Sequence, residues 1–490
     1  MRFPKRAAVA AALSAVLLGL VTAPAQAAGD GPPDDAVATT LKPGDSYTIS
    51  DPALLANPQK VEDALAKDGD LDALGLKPNN GPSAQPESEM MEPWGRSYTV
   101  PSQRFPRGRK PADPYQYISG IDECAANDSS DNDGGWIKNR FSYCQRHMIV
   151  IPAVQCGLWP PGCYVRGWFI SRNTIIGQGK IGGWEGSRYA RNADFDLNVN
   201  VYAATGHFNQ AGAIMEATLE CEGTWEGGGG EPEDACDSGV YEGRKDSTRG
   251  WRNDGDVKFD LISLAPRQPS AEAGPQIANA DFRPSYEFTI PGYDQLQPTE
   301  GEEGKLRFDS AWYLNRGDMG SVFSDITPAL RYDRSDTSDP TGPGEPYLGV
   351  AVVADHIGDA RANLDSTLPP KDDKNLPGAE PLDPLHRIAA AAGASQRARS
   401  DANRSVVRSY CNSGDVSGGP GQGLDCDEYP FASSYQGAAR YQFEGGQYEK
   451  DYSVRYVDPT ENQEAGRRLD AWYENDRILD WDAFVIRIGD

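Results

Sequence analysis

The stretch FDLNVNV, residues 195–201, decides the fold class. Phe195, Leu197, Val199 and Val201 alternate with Asp196, Asn198 and Asn200, so an extended strand here has one apolar and one polar side. The same period of two recurs at Val257, Phe259 and Leu261, at Tyr286, Phe288 and Ile290, and at Leu306 and Phe308. Clusters of Gly, Pro and Asn separate these runs. Residues 114–365 are therefore expected to form a β-rich, sandwich-like region of antiparallel strands. Trp136, Trp168, Trp184 and Trp225 within it are candidates for an aromatic face binding cell wall, glycan or matrix, set against ordinary core positions.

The chain of 490 residues is long enough for two or three domains. Met1, Arg2, Lys5 and Arg6 precede an apolar run from Ala7 to about Ala23, and Ala25-Gln26-Ala27 follows. That order of charge, apolar core and small residues reads as a signal peptide at 1–27, so a secreted, extracellular protein is expected. No later segment is apolar enough to span a bilayer. The eight cysteines, an even number, point to disulfides in an exported chain. Six fall between Cys124 and Cys236, and two are Cys411 and Cys426, which assigns the two sets to separate folding units.

A net charge of -26 and a pI near 4.6 repel polyanions at long range. From Pro384 onward, however, 12 Lys or Arg face 17 Asp or Glu, so most of the acidic excess lies upstream. Residues 28–113, rich in Pro, Asp, Gly and Ala, read as a weakly ordered acidic lead-in with a helix-like patch at Val61–Leu65. Residues 366–383, where Pro, Lys and Asp crowd out apolar positions, read as a linker to a C-terminal unit at 384–490. In that unit Thr460 and Gln463 form a capping box, Ala465, Leu469 and Trp472 share one helical face, and Phe484–Ile488 reads as a closing strand.

The chemistry concentrates in LDCDEYPFASS, residues 424–434. Asp425, Asp427 and Glu428 would repel one another unless something positive sits among them. A second run, YVDPTENQEAG at 456–466, places Glu461 and Asn462 in the first turn of the expected helix. Oxygen donors on a helix start beside acids on a strand suit a hard divalent metal, Mg²⁺ or Mn²⁺. The plainer alternative is a solvated turn pinned by a Cys411–Cys426 bridge.

The run from Asp425 to Ser433, with Val457-Asp458-Pro459, Asn462, Gly466 and the closing RILDWDAFVIRI at 477–488, resembles the NucA/NucB-type extracellular deoxyribonucleases. The resemblance covers about the last hundred residues and says nothing of 28–365. It implies a small α+β nuclease domain similar to the ββα-metal endonucleases, with an aspartate where those place a histidine base. The four histidines, His147, His207, His356 and His386, all lie outside the motif segment, so a histidine base would have to come from elsewhere.

Carried over, Asp427 takes a proton from the attacking water with Glu428 beside it, and Asn462 holds the metal. Arg440, Arg467 and Arg468 are the candidate substrate-binding cations, with Arg455 and Arg477 also available. DNA is the implied substrate, gripped by its backbone with little sequence preference. Glu461, Glu464, Asp470, Glu474 and Asp476 count against DNA lying across the helix. Two other functions follow from the same residues: a secreted surface or glycan-binding protein with an inactive nuclease-like domain, and an antibacterial toxin with a nuclease payload.

Overall fold

The computed structural model describes residues 37–79, 95–105, 116–131, 134–158, 161–226, 232–239, 243–293, 296–315, 317–339, 341, 346–419 and 422–490. The signal peptide expected at 1–27 lies outside the described residues. The alternating runs form two antiparallel sheets. The larger is built on β2 (Ser142–Leu158), β3 (Pro161–Gly179), β4 (Ala190–Ala204) and β6 (Asp256–Leu264), paired in that order, with short strands at its edges. The second carries β5 (Ile214–Trp225), β7 (Gln276–Thr289), β8 (Gly304–Ser310) and β9 (Met319–Phe323).

Within β4, Phe195, Leu197 and Val199 are buried while Asp196 and Asn200 are exposed, as the period of two requires. The buried faces meet through aromatic pairs: Phe195 lies 4.8 Å from Phe282, and Phe169 lies 4.9 Å from Phe288. Trp168 and Trp225 sit on strands of different sheets. His147 is buried with its Nε2 2.9 Å from the Tyr286 hydroxyl, and burial pushes its pKa down to about 3. Disulfides join Cys124–Cys144, Cys156–Cys163, Cys221–Cys236 and Cys411–Cys426, so no bridge crosses between the two sets of cysteines.

A third sheet unites segments far apart in the chain. β10 (Thr327–Asp333) lies at its middle, parallel both to β1 (Ser97–Pro101) and to β13 (Ala483–Gly489), and Leu385–His386 pairs with the outer edge of β13. The closing strand read at Phe484–Ile488 is thus paired to residues upstream of the supposed linker. One hydrophobic core runs from Phe195 and Phe282 through Tyr98 and Leu330 to Trp472, Tyr473 and Phe484.

Two expectations from composition differ from what the described residues do. Residues 37–79 carry a strand at Tyr47–Ile49 and helix α1 (Gln59–Asp68), whose Val61 and Leu65 are buried against β2 and β3. Leu41, Tyr47, Ile49, Leu54, Leu55, Val61, Leu65 and Leu71 are buried in one cluster and seat this segment despite its acidic, Pro-rich composition. Residues 366–383 are likewise fastened. The Val454 amide donates to the Leu368 carbonyl (2.8 Å), and the buried Lys374 ammonium donates to Thr367 Oγ1 (2.6 Å) and the Tyr452 carbonyl (2.9 Å). Backbone and ammonium hydrogen bonds leave no hydropathy signal, so this anchoring is invisible to composition.

Helix α2 (Ala351–Ala362), upstream of the C-terminal unit, and that unit's α3 (Ala394–Cys411) and α4 (Pro459–Asn475) surround a hairpin of β11 (Asp425–Tyr429) and β12 (Ser453–Val457). Asp458 caps α4 by accepting from the Thr460 and Glu461 amides at 2.9 and 3.1 Å, with Pro459 as the first helical residue. The cap is therefore Asp458 rather than Thr460.

Candidate active site

The hairpin resolves the crowding of three acids. Successive side chains of a strand point to opposite faces, so Asp425, Asp427 and Tyr429 share one face of β11 and Cys426 and Glu428 the other. The Cys411–Cys426 bridge fixes the second face to the end of α3. Asp425 accepts from Gln463 Nε2 of α4 at 3.3 Å. Asp427, 5% exposed, is held by a residue from outside the hairpin: His356 of α2 places Nδ1 2.6 Å from Asp427 Oδ2, while its Nε2 lies 3.0 Å from Ser453 Oγ. Oδ1 of Asp427 has no hydrogen-bond partner among the described residues.

Glu428 is partly buried and weakly satisfied, accepting only from the Ala432 amide at 3.4 Å. Burial, reinforced by the charge of Asp427, pushes its carboxyl up to about 7, against the opposing pull of the Ala432 N–H and Arg404. A carboxyl near 7 can carry a proton or shed one at neutral pH. Arg404, on α3 and 52% exposed, also acts on Asp470 of α4, which faces Arg387 as well.

Helix α4 runs beside the segment 425–433, tied to it at both ends. Gln463 meets Asp425 at one end, and at the other the Tyr473 hydroxyl lies 3.3 Å from Ser433 Oγ. Asn462, Gly466 and Asp470, spaced four apart, form one stripe of this helix. A methyl group built on Gly466 would meet nothing within 4 Å, so the stripe borders open space. The Asn462 amide has no side-chain partner among the described residues.

The other candidates divide sharply. Arg468 is 1% exposed and fully engaged, with Asp336 at 2.6 Å, Glu464 at 2.8 Å and the Leu348 carbonyl at 2.7 Å. It braces the fold and does not reach a phosphate, a correction to its reading as a substrate contact. Arg477 is equally buried against Asp309. Arg467 is paired with Glu464 and the Phe105 carbonyl, Arg440 with Glu444 (2.6 Å) beneath its stacking on Tyr448, and Arg455 with Asp359 (3.0 Å). Glu461 accepts from Ser338 Oγ (3.0 Å) and from the Val352 amide (3.1 Å) at the start of α2, so it caps a neighbouring helix.

The available cations were missed. Arg397, Arg404 and Arg408 lie exposed along one stripe of α3, and among the described residues Arg397 and Arg408 have no acidic partner. Their spacing, with Asp401 between, was readable in the sequence as a helical stripe. His356 carried no local signal, because 71 residues separate it from Asp427.

Among the described residues no three His, Cys, Asp or Glu side chains converge as a metal cluster. The donors present still fit a hard cation that keeps most of its water: a carboxyl raised by burial and by the neighbouring charge of Asp427, and an amide with no side-chain partner among the described residues. Glu428 and Asn462 are the residues that could hold it.

Residues 383–487 match the family model of the deoxyribonucleases NucA/NucB. The segment contains the hairpin, α3, α4 and the first five of the seven residues of β13, and leaves out His356 and β10. No curated protein and no solved structure matches the chain.

Proposed function

We propose that the protein is an exported, metal-dependent endonuclease that hydrolyses DNA phosphodiester bonds with little sequence preference. The observation that carries this reading is the match of residues 383–487 to the NucA/NucB deoxyribonucleases, within which Asp427 is a buried carboxylate held through one oxygen by His356 and the adjoining Glu428 carboxyl, on the other face of β11, is raised to about 7. Oδ1 of Asp427 takes a proton from water as its oxygen bonds to phosphorus and the bond from phosphorus to the 3′ oxygen breaks. A fixed aspartate is a weak base, so its placement matters more than its basicity. A bound Mg²⁺ or Mn²⁺ supplies positive charge for the phosphoryl oxygens and the departing oxygen. Asn462 and Glu428 would hold it, and Arg397, Arg404 and Arg408 line the approach for consecutive phosphates.

Those contacts address the backbone rather than base edges, which supports weak sequence preference. Export is supported by the signal-like order of charged, apolar and small residues at 1–27 and by four disulfides among the described residues. No described helix is long and apolar enough to cross a membrane. The β-rich region acts as the scaffold that supplies α2 and β10 to the nuclease unit.

The test is cleavage of plasmid and linear DNA with Mg²⁺, Mn²⁺ or EDTA, beside Asp427→Asn and Asn462→Ala, with circular dichroism to confirm folding. Metal-dependent cleavage lost in both variants is expected. Intact DNA under every condition would overturn the reading in favour of a binding protein.

A further inference from the structure

His356 reaches the hairpin from α2, upstream of the family-matched residues, and is 1% exposed. An ionised carboxylate only accepts hydrogen bonds, so the 2.6 Å contact assigns the proton on His356 Nδ1 and makes it the donor to Asp427 Oδ2. Nε2, on the other side of the ring, is hydrogen-bonded to the Ser453 hydroxyl 3.0 Å away. Ser453 stands opposite Tyr429 on β12, so the imidazole bridges both strands of the hairpin.

Helix α2 is itself clamped. At its start the Val352 amide donates to Glu461 of α4. At its end Arg361 donates to the Ile486 carbonyl (2.7 Å), the Gly378 carbonyl (2.7 Å) and the Tyr429 hydroxyl, the last residue of β11. The helix that delivers the histidine is thus fixed to the strand that carries the aspartate and to the helix that carries Asn462. With Oδ2 held, rotation of the Asp427 side chain is blocked and Oδ1 is the oxygen left free.

We propose that His356 is a positioning residue for DNA cleavage: its Nδ1–H anchors one oxygen of Asp427 so that the other is presented to the attacking water. This rests on the reading of Asp427 as the base. It assigns to the region upstream of the family segment a part in the reaction itself, beyond scaffolding. The buried imidazole does not touch substrate. Its effect is on the geometry of the carboxylate, where a misplacement of about 1 Å costs roughly 100-fold in rate.

The test uses the full chain and steady-state plasmid cleavage in Mg²⁺, with rates normalised to the folded fraction from thermal melts. His356→Ala is expected to lower kcat about 100-fold with KM within about twofold. His356→Asn, whose amide nitrogen falls near the place of Nδ1, is expected to recover most of the rate, and His356→Gln, whose nitrogen falls near Nε2, is not. In the background of Asp427→Asn, His356→Ala is expected to cost nothing further.

Should the alanine variant fail to fold, the Asn and Gln pair carries the comparison. Equal rates in those two, or a wild-type kcat in His356→Ala while Asp427→Asn is inactive, would overturn the positioning role and leave Asp427 as the base. A wild-type rate in Asp427→Asn would overturn the reading of the base instead.

Discussion

Glu428→Gln should make the protein more stable and less active, and without divalent metal the gain in stability should grow as pH rises from about 4.5 to 7 and level off above neutral pH. The folded Glu428 carboxyl sits near 7, against an ordinary value of 4.5. Between those values the unfolded chain has released the proton that the folded chain keeps, so stability falls as pH rises through this window. Two and a half pH units correspond to about 3 kcal/mol, and partial exposure trims this to roughly 2–3 kcal/mol. Glutamine is neutral at every pH and escapes the penalty. In urea unfolding with EDTA, wild type and variant should agree within about 0.5 kcal/mol at pH 4.5, and the variant should lead by about 2–3 kcal/mol at pH 8. Saturating Mg²⁺ at pH 8 should stabilise wild type more than the variant, because a cation favours the ionised carboxyl. A difference that is the same at both pH values would refute the claim that an ionised Glu428 is destabilised in the folded protein.

Two further outcomes are expected. Arg404→Ala should weaken DNA binding in EDTA and reduce the slope of log K against log salt by about 1, read by fluorescence anisotropy, while Arg468→Ala should instead lower the melting temperature because it leaves Asp336 buried without its cation and Glu464 with Arg467 alone. A chain cut to 383–490 should lack a cooperative melt and dispersed amide resonances, since β13 loses β10, Asp427 loses His356 and Arg477 loses Asp309.

How much was legible in the sequence depended on whether the relevant interaction is local. The strands of the β-rich region announce themselves, because alternation at Phe195, Leu197 and Val199 is written in adjacent residues. The Cys411–Cys426 bridge and the α4 helix were legible for the same reason. Side-chain roles at the site were legible only as chemistry. Asp427, Glu428 and Asn462 were picked for oxygen donors in a motif, but nothing local distinguishes Arg468, buried under Asp336, from Arg404, open to solvent. The partner of Asp427 lies 71 residues away, and the partners of β13 lie more than 150 residues upstream on β10. Parallel pairing of this kind leaves no turn signature. A composition rich in Pro and Asp at 366–383 correctly reports few apolar residues, yet says nothing about carbonyls and ammonium groups that fasten a segment by hydrogen bonds.

The loop from Asp476 to Asp482 shows why the nuclease unit and the β-rich body form one structure. Arg477 donates to Asp309 of β8 through Nε (3.0 Å), Asp482 accepts from Arg307 (2.6 Å) and Arg140 (3.2 Å), and Asp476 accepts from the Tyr98 hydroxyl (2.6 Å). Burial alone would raise the carboxyls of Asp309 and Asp482. The neighbouring guanidinium groups more than offset it, so both lie below the ordinary carboxylate range, Asp482 at about 2. Such a network adds little net stability compared with apolar packing, but a single misplaced partner leaves a buried charge exposed to its full desolvation cost. It therefore selects one docking of this loop on β8. The loop joins α4 to β13, so the same docking fixes where α4 leaves the body and with it the stripe of Asn462, Gly466 and Asp470. A hairpin positioned by α2 and a helix positioned by β8 meet only when both parts of the chain are folded, which is why a motif confined to 425–466 is necessary for this site without being sufficient to build it.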